Sequence, residues 1–183
     1  VTVTGRVNFQ GQNAQKATPR GVQITATAPS GVPSIVAFAG RALGGGRVNN
    51  DGTFELRGLA GPQVIRAGGL PAGWAVKNIS LDGVDVTDAP FDFTPGESLT
   101  GLVVTLTDRV TEISGAVRDS RGQPVADYVL VVFPEDATLW GAQSRHVATA
   151  RPNQNGTFSI KALPPARYLA AVVASLENGM QND

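Results

Sequence analysis

The sequence has no cysteine and a single histidine, His146, among its 183 residues. The absence of cysteine excludes disulfides and thiolate metal sites, and one histidine cannot form a histidine-rich metal centre. A Ser-His-Asp triad would have to use His146, which lies on a predicted strand without a recognisable nucleophile motif. We therefore predict a surface or edge histidine, no catalytic residue, no metal site and no cofactor.

The chain also lacks net charge and long hydrophobic runs. It has 15 basic and 15 acidic residues and no basic stripe, which argues against nucleic acid or an anionic membrane as partner. The longest apolar runs, such as Val129–Phe133 and Leu169–Ala174, are far shorter than the roughly 18 residues needed to cross a bilayer. The chain opens on Val1 within a predicted strand, and we expect a mature protein or an excised fragment.

Glycine and proline are abundant, at 22 and 12 residues, while 42% of residues are hydrophobic. This composition favours short strands joined by turns over disorder. Apolar residues alternate with polar ones in many short segments, and no stretch shows a sustained 3.6-residue period. The predicted strands are Val1–Phe9, Val22–Ala28, Ser34–Phe38, Thr53–Arg57, Val64–Ala67, Trp74–Leu81, Leu102–Thr107, Ile113–Val117, Tyr128–Phe133, Arg145–Ala150, Thr157–Lys161 and Tyr168–Val172. Glu135–Gln143 is predicted to hold a short helical turn, and Asp82–Pro95 to be a turn-rich excursion.

One segment occurs twice. Arg47–Leu59 returns without a gap as Arg151–Leu163. Each copy has a polar turn closed by Asp-Gly or Asn-Gly, a short alternating strand and a leucine corner. The Val-x-Gly-x-Val pattern of Val3–Val7 likewise returns at Ile113–Val117. A chain of this length accommodates two small domains, and we predict them at residues 1–108 and 109–183.

The second predicted domain is shorter than the first. After its leucine-corner strand, domain 1 has two further predicted strands, whereas domain 2 continues into the polar residues Glu177–Asp183. Domain 2 is therefore predicted to lack its last strand and to expose a sheet edge. A truncated sequence, an unseen continuation, or strand addition from another chain would each account for this edge.

Four motifs together resemble the carboxypeptidase regulatory-like domains: Val-x-Gly-x-Val, Gly-x-Pro-Val at Gly122–Val125, Asn-Gly-Thr-Phe at Asn155–Phe158, and Leu-Pro-Pro-x-x-Tyr at Leu163–Tyr168. The resemblance implies an all-β protein of two tandem Greek-key-type, transthyretin-like β-sandwiches. It also implies a non-catalytic module of bacterial exported proteins, located extracellularly, at the cell surface or in the periplasm. Ala166 stands where the family prefers glycine, and Val64 where tyrosine is usual.

Aromatic residues are the best candidates for ligand binding. Trp74 and Trp140 follow turn-like or irregular segments, where an indole could stack on a sugar, although either could equally pack in a core. Tyr128 is a third, weaker candidate. The carboxylates Asp82, Asp85, Asp88 and Asp92 form the densest acidic cluster, but they lack the alternate-residue spacing of a calcium loop and are interpreted as turn residues.

Taken together, these patterns predict a non-catalytic structural or interaction module that serves as a spacer, in adhesion or in assembly. Its expected partners are a protein or neighbouring domains of the same chain. The alternative is a carbohydrate-binding module that takes polysaccharide through loop aromatics. An enzyme is disfavoured, because the sequence offers neither a nucleophile–base pair nor a set of metal ligands.

Overall fold

The computed structural model describes residues 1–29, 45–140 and 144–174. The predicted strand Ser34–Phe38 and the polar segment Glu177–Asp183 lie outside the described residues. The chain divides into two compact units, Val1–Arg109 and Val110–Asp183, which are called unit 1 and unit 2 below.

Both units are built from β-strands, which confirms the all-β prediction. The strands of unit 1 are β1 (Thr2–Gln10), β2 (Gln23–Thr27), β3 (Gly45–Arg47), β4 (Thr53–Arg57), β5 (Gly61–Gly68), β6 (Ala75–Leu81), β7 (Val84–Asp85), β8 (Phe91–Phe93) and β9 (Ser98–Thr107). Those of unit 2 are β10 (Glu112–Ala116), β11 (Val129–Pro134), β12 (Ala148–Ala150), β13 (Thr157–Lys161) and β14 (Tyr168–Val173). The helical turn expected within Glu135–Gln143 is the 3-10 turn Ala137–Leu139.

Unit 1 is a sandwich of two sheets around one core. One sheet has the strand order β4-β1-β9-β6-β7 and the other the order β3-β2-β5-β8. Alternate apolar residues from both sheets meet in a single buried cluster, which includes Val3, Ile24, Leu56, Ile65, Ile79, Phe93, Val104 and Leu106. No helix in the described parts of the chain has the length and hydropathy needed to cross a membrane.

The segment Asp82–Pro95 corrects one prediction. It is not only a turn-rich excursion, because it contains β7 and β8. Strand β8 pairs with β5, and Phe93 is 1% exposed in the core of unit 1. A strand of three residues carries too little periodic signal to be separated from the Asp and Pro residues around it.

Unit 2 repeats the first part of unit 1. Its two sheets have the orders β10-β13 and β12-β11-β14, so that β10 to β14 correspond to β1 to β5. The register is conserved as well: Gly5 faces Phe54 across β1 and β4, and Gly115 faces Phe158 across β10 and β13. Within its described residues, unit 2 has no strand that corresponds to β6, β7, β8 or β9.

Unit 2 contains one buried strand and one buried histidine. Strand β11 is buried at nearly every position, as its continuous apolar sequence indicates. The prediction of a surface or edge position for His146 is wrong, because that residue is 7% exposed. It precedes β12 in a turn in which its backbone N–H donates to Ser144 Oγ at 3.1 Å.

Candidate functional site

Trp74, one of the three aromatic candidates, packs against the core of unit 1. It is half-buried and lies immediately before β6. Its indole meets the ring of Phe9 edge to face, with the ring centroids 4.9 Å apart. This geometry is typical of aromatic pairs that stabilise a core boundary. The position of Trp74 therefore favours packing over ligand stacking.

Trp140 is the candidate that faces solvent, with 43% of its surface exposed. Its indole N–H donates to the carbonyl oxygen of Pro134 at 2.8 Å. Its ring meets Phe133 edge to face, with a centroid distance of 5.6 Å. These two contacts hold the exposed ring in a defined orientation, which lowers the conformational entropy that a stacked ligand would have to overcome.

The 3-10 turn before Trp140 is held by Asp136. Its carboxylate accepts hydrogen bonds from the hydroxyl of Thr138 at 2.7 Å and from the backbone N–H of Thr138 at 2.9 Å. These bonds stabilise the charged form and lower the pKa of Asp136 below its ordinary value. Asp136 therefore caps the 3-10 turn, and its carboxylate is hydrogen-bonded to Thr138.

Tyr128, the third candidate, is a core residue of unit 2. It is 2% exposed, and its hydroxyl donates to the carbonyl oxygen of Gly156 at 3.2 Å. A ring in this position presents no face to a ligand. Of the three predicted aromatic residues, only Trp140 offers an exposed surface.

The acidic cluster between β6 and β8 has structural partners. The carboxylate of Asp85 accepts from the backbone N–H of Thr87 at 2.9 Å, and Asp88 lies 3.9 Å from the guanidinium of Arg66. Among residues 1–29, 45–140 and 144–174, no three histidine or acidic side chains lie close enough to hold a metal ion.

The two copies of the repeated turn use their polar side chains internally. In the first copy, Asp51 accepts from the hydroxyl and the N–H of Thr53, at 2.7 and 2.9 Å. Both bonds lower the pKa of Asp51 below its ordinary value, and the bond from the hydroxyl has the larger effect. In the second copy, Asn153 Oδ1 accepts from the backbone N–H groups of Asn155 and Thr157. The turns therefore use these oxygens to set their own geometry.

The most unusual surface in the described structure is the edge of β10. In unit 1, β1 lies between β4 and β9, whereas β10 pairs with β13 alone among the described strands. Val3 and Ile113 occupy equivalent positions, opposite the buried Leu56 and Ile160. Val3 is 0% exposed, but Ile113 is 37% exposed. The difference arises because β9 covers the first position and no described strand covers the second.

The inner face of β14 is also uncovered. Val172 lies opposite Leu130 in the antiparallel pair of β14 and β11, so both side chains point to the same face of the sheet. Leu130 is 3% exposed and belongs to the core of unit 2, yet Val172 is 48% exposed. On the other face, Leu169 is 49% exposed. Strands β10 and β14, each at the edge of a sheet, thus present exposed apolar side chains.

A shallow depression beside β10 also differs from its equivalent in unit 1. It has a volume of about 660 Å³ and is lined by Gly115 and Phe158 together with residues of the repeated turn. The equivalent depression in unit 1 has about 450 Å³, and its lining includes Gly101–Val103 of β9 in addition to Gly5 and Phe54. In unit 1, therefore, β9 forms a wall that the described part of unit 2 lacks.

Sequence reasoning predicted one exposed sheet edge but did not predict which residues it uncovers. The alternation predicts that Ile113 and Val172 lie on strands, but it does not indicate that either side chain is exposed. The signal was present in the repeat. Aligning Val3 with Ile113 and noting that only unit 1 continues to a strand like β9 would have identified Ile113 as uncovered.

Comparisons with known proteins assign no family. No protein-family model matches the sequence, and no curated protein is similar to it. Similar solved structures include the TIE protein of Bacillus anthracis (13% identity, TM-score 0.33), shaft pilin SpaA from Lactobacillus rhamnosus GG (12%, 0.34) and a DUF3823 family protein from Parabacteroides merdae (14%, 0.31). In the same order, the matches cover 96%, 98% and 88% of this chain, and 29%, 88% and 79% of the three solved chains. At these identities and TM-scores, the likeness assigns no function.

Proposed function

We propose that this chain is a non-catalytic structural and interaction module that takes part in assembly through the uncovered side of unit 2. The observation that carries the proposal is the exposure of Ile113, Leu169 and Val172 on edge strands whose neighbours belong to a core. Exposed apolar side chains on strands at the edge of a sheet are typical of surfaces that bind another protein.

We further propose that the two units are separate domains, at residues 1–108 and 109–183, of the carboxypeptidase regulatory-like kind. The division into compact units at Arg109 and Val110 supports the boundary. The shared register of Gly5 with Phe54 and of Gly115 with Phe158 supports a tandem duplication. A protein of this kind is expected outside the cytoplasm, as part of a bacterial exported or cell-surface protein.

The proposed assembly role predicts that copies of the full chain associate as the concentration rises. Replacing Leu169 and Val172 together by lysine is expected to abolish this association, because two charges replace the apolar surface of β14. Sedimentation equilibrium over a wide concentration range measures the effect. Val84→Lys is the matched control, because Val84 is 65% exposed in unit 1 and its substitution should leave association unchanged. A strict monomer at every concentration would contradict the proposed role.

A second candidate function, carbohydrate binding, is favoured by one observation: the exposed and oriented ring of Trp140. If Trp140 stacks on a sugar face, the full chain will bind polysaccharide glycans on an array. Trp140→Ala will then weaken the binding, because it removes the apolar ring face that stacks on the sugar. Trp140→Phe is the control that keeps a ring. No binding to any glycan would remove this candidate and leave the structural role.

A further inference from the structure

The two copies of the repeated turn differ in the residue that precedes the glycine. Unit 1 has Asp51 before Gly52, whereas unit 2 has Asn155 before Gly156. The same backbone bond closes both turns, because the glycine N–H donates to the carbonyl oxygen three residues earlier, at 3.0 Å in unit 1 and 2.9 Å in unit 2. The chemical difference between the copies therefore lies in the side chain, which is a carboxylate in one and a neutral amide in the other.

These two side chains have different surroundings. Asp51 accepts from the N–H and the hydroxyl of Thr53, and both bonds favour its charged form. A charged carboxylate resists attack by a nucleophile. Asn155 is exposed, and its side-chain amide has no hydrogen-bond partner among the described residues. The amide carbon of Asn155, Cγ, is therefore open to a nucleophile within reach.

The backbone nitrogen of Gly156 is such a nucleophile. Its attack on Cγ closes a five-membered ring within the chain, and glycine has no side chain to obstruct it. In the folded turn this N–H donates to the carbonyl oxygen of Asn153. Asn153 Oδ1 also holds the turn, since it accepts from the N–H groups of Asn155 and Thr157. The turn must therefore open locally before the attack, and its hydrogen bonds limit the rate.

We propose that Asn155 is a site of spontaneous deamidation, which gives the turn of unit 2 the side-chain chemistry of the turn in unit 1. The Gly156 nitrogen loses its proton to water and bonds to Asn155 Cγ, and the bond from Cγ to Nδ2 breaks, so that ammonia leaves. Water then opens the cyclic imide, at Cγ to give aspartate or at the backbone carbonyl carbon to give isoaspartate. No oxidation or reduction takes place. The inference does not depend on the proposed assembly role.

The aspartate product has hydrogen-bond donors in place. Thr157 follows position 155 by two residues, as Thr53 follows Asp51. We expect the new carboxylate to accept from the N–H and the hydroxyl of Thr157, as Asp51 does from Thr53 at 2.9 and 2.7 Å. The Thr157 N–H would then exchange its present acceptor, Asn153 Oδ1 at 3.1 Å, for a charged one. Isoaspartate would instead lengthen the backbone and disrupt the turn.

Mass spectrometry of the full chain, incubated at neutral pH and physiological temperature and then digested with trypsin, tests the proposal. Trypsin does not cleave Arg151–Pro152, so it releases Asn155 in the peptide His146–Lys161. The peptide Val48–Arg57 is the internal control, because its two asparagines are not followed by glycine. We expect the first peptide to gain the mass of an amide-to-acid conversion about tenfold faster than the second, or more. Asn178, which also precedes a glycine, lies in a different peptide.

Two variants locate the reaction and test the effect of the turn. Asn155→Gln should abolish the mass gain, because glutamine would have to close a six-membered ring, which forms far more slowly. Asn153→Ala removes the Oδ1 acceptor and should speed the gain about fivefold, the factor that corresponds to one net hydrogen bond. A gain that Asn155→Gln leaves unchanged would overturn the assignment. The absence of any gain in the folded chain would do the same.

Asn155→Asp represents the aspartate product directly. At neutral pH, unit 2 of this variant should unfold at a higher urea concentration than that of the original chain, as followed by Trp140 fluorescence in a Trp74→Phe background. Bonds from Thr157 would lower the folded-state pKa of the new carboxyl, so the advantage is present above the ordinary carboxyl pKa and is lost as the pH falls through the folded-state pKa. Thr157→Val, introduced into both chains, should reduce the advantage. Equal unfolding of the two chains at neutral pH would overturn the proposed match with unit 1.

Discussion

Replacement of Gly5 by alanine is expected to lower the free energy of unfolding of unit 1 by about 3 kcal/mol. The added methyl group would overlap the backbone carbonyl of Leu102 and press on the ring of Phe54. A backbone atom in a central strand pair cannot rotate away, so β1 and β9 would have to separate. Urea denaturation measures the cost through the fluorescence of Trp74, in a Trp140→Phe background that leaves one indole in unit 1.

The matched control is Gly115→Ala, measured through Trp140 fluorescence in a Trp74→Phe background. Here the added methyl group meets only the ring of Phe158, at 3.1 Å, and a ring can shift by a few tenths of an ångström. We expect a change of less than about 1 kcal/mol. Equal costs at the two glycines would show that β9 does not set the requirement at Gly5.

Replacement of Tyr128 by alanine is expected to unfold unit 2. Tyr128 is the largest of the fully buried side chains, and deletion of a buried aromatic ring costs about 3–5 kcal/mol. The sheets of unit 2 have only two and three described strands, and a small core has little stability to lose. Trp140 fluorescence and the NMR signal of His146, the only histidine, report the loss. Both residues belong to unit 2.

Tyr128→Phe is the matched control for this prediction. It keeps the ring and removes only the hydroxyl that donates to Gly156 at 3.2 Å. We expect a cost of about 1 kcal/mol, the usual net value of one hydrogen bond, with unit 2 still folded. If Tyr128→Ala left unit 2 folded, Tyr128 would not be the centre of its core, and a role in ligand binding would have to be reconsidered.

The repeat was the part of the sequence from which most could be predicted. Both copies form the expected turn and strand, and Phe54 and Leu56 are buried as their alternation indicates. This success has a local cause. A two-residue periodicity and an Asn-Gly or Asp-Gly turn act over a few residues, so neighbouring sequence is sufficient to specify them.

The candidate site could be predicted only in part. The sequence indicated an exposed edge in the second half, but it left Trp74 and Trp140 open between core packing and ligand stacking. It gave no sign that His146 is buried, because a ring beside a strand has the same local sequence whether it faces in or out. Burial depends on what the rest of the chain places over each position, and that information is not local.

By itself, the sequence determined that this protein is all-β, that one turn-and-strand segment occurs twice, and that Gly115 and Phe158 repeat Gly5 and Phe54. These properties follow from backbone preferences and from the alternation of side chains along a strand. Only the tertiary structure decided that Val3 is 0% exposed and Ile113 37% exposed. The two residues lie in the same sequence pattern and face equivalent partner strands, β4 and β13. They differ because β9, from a distant part of the chain, pairs with β1, and no described strand pairs with the second edge of β10.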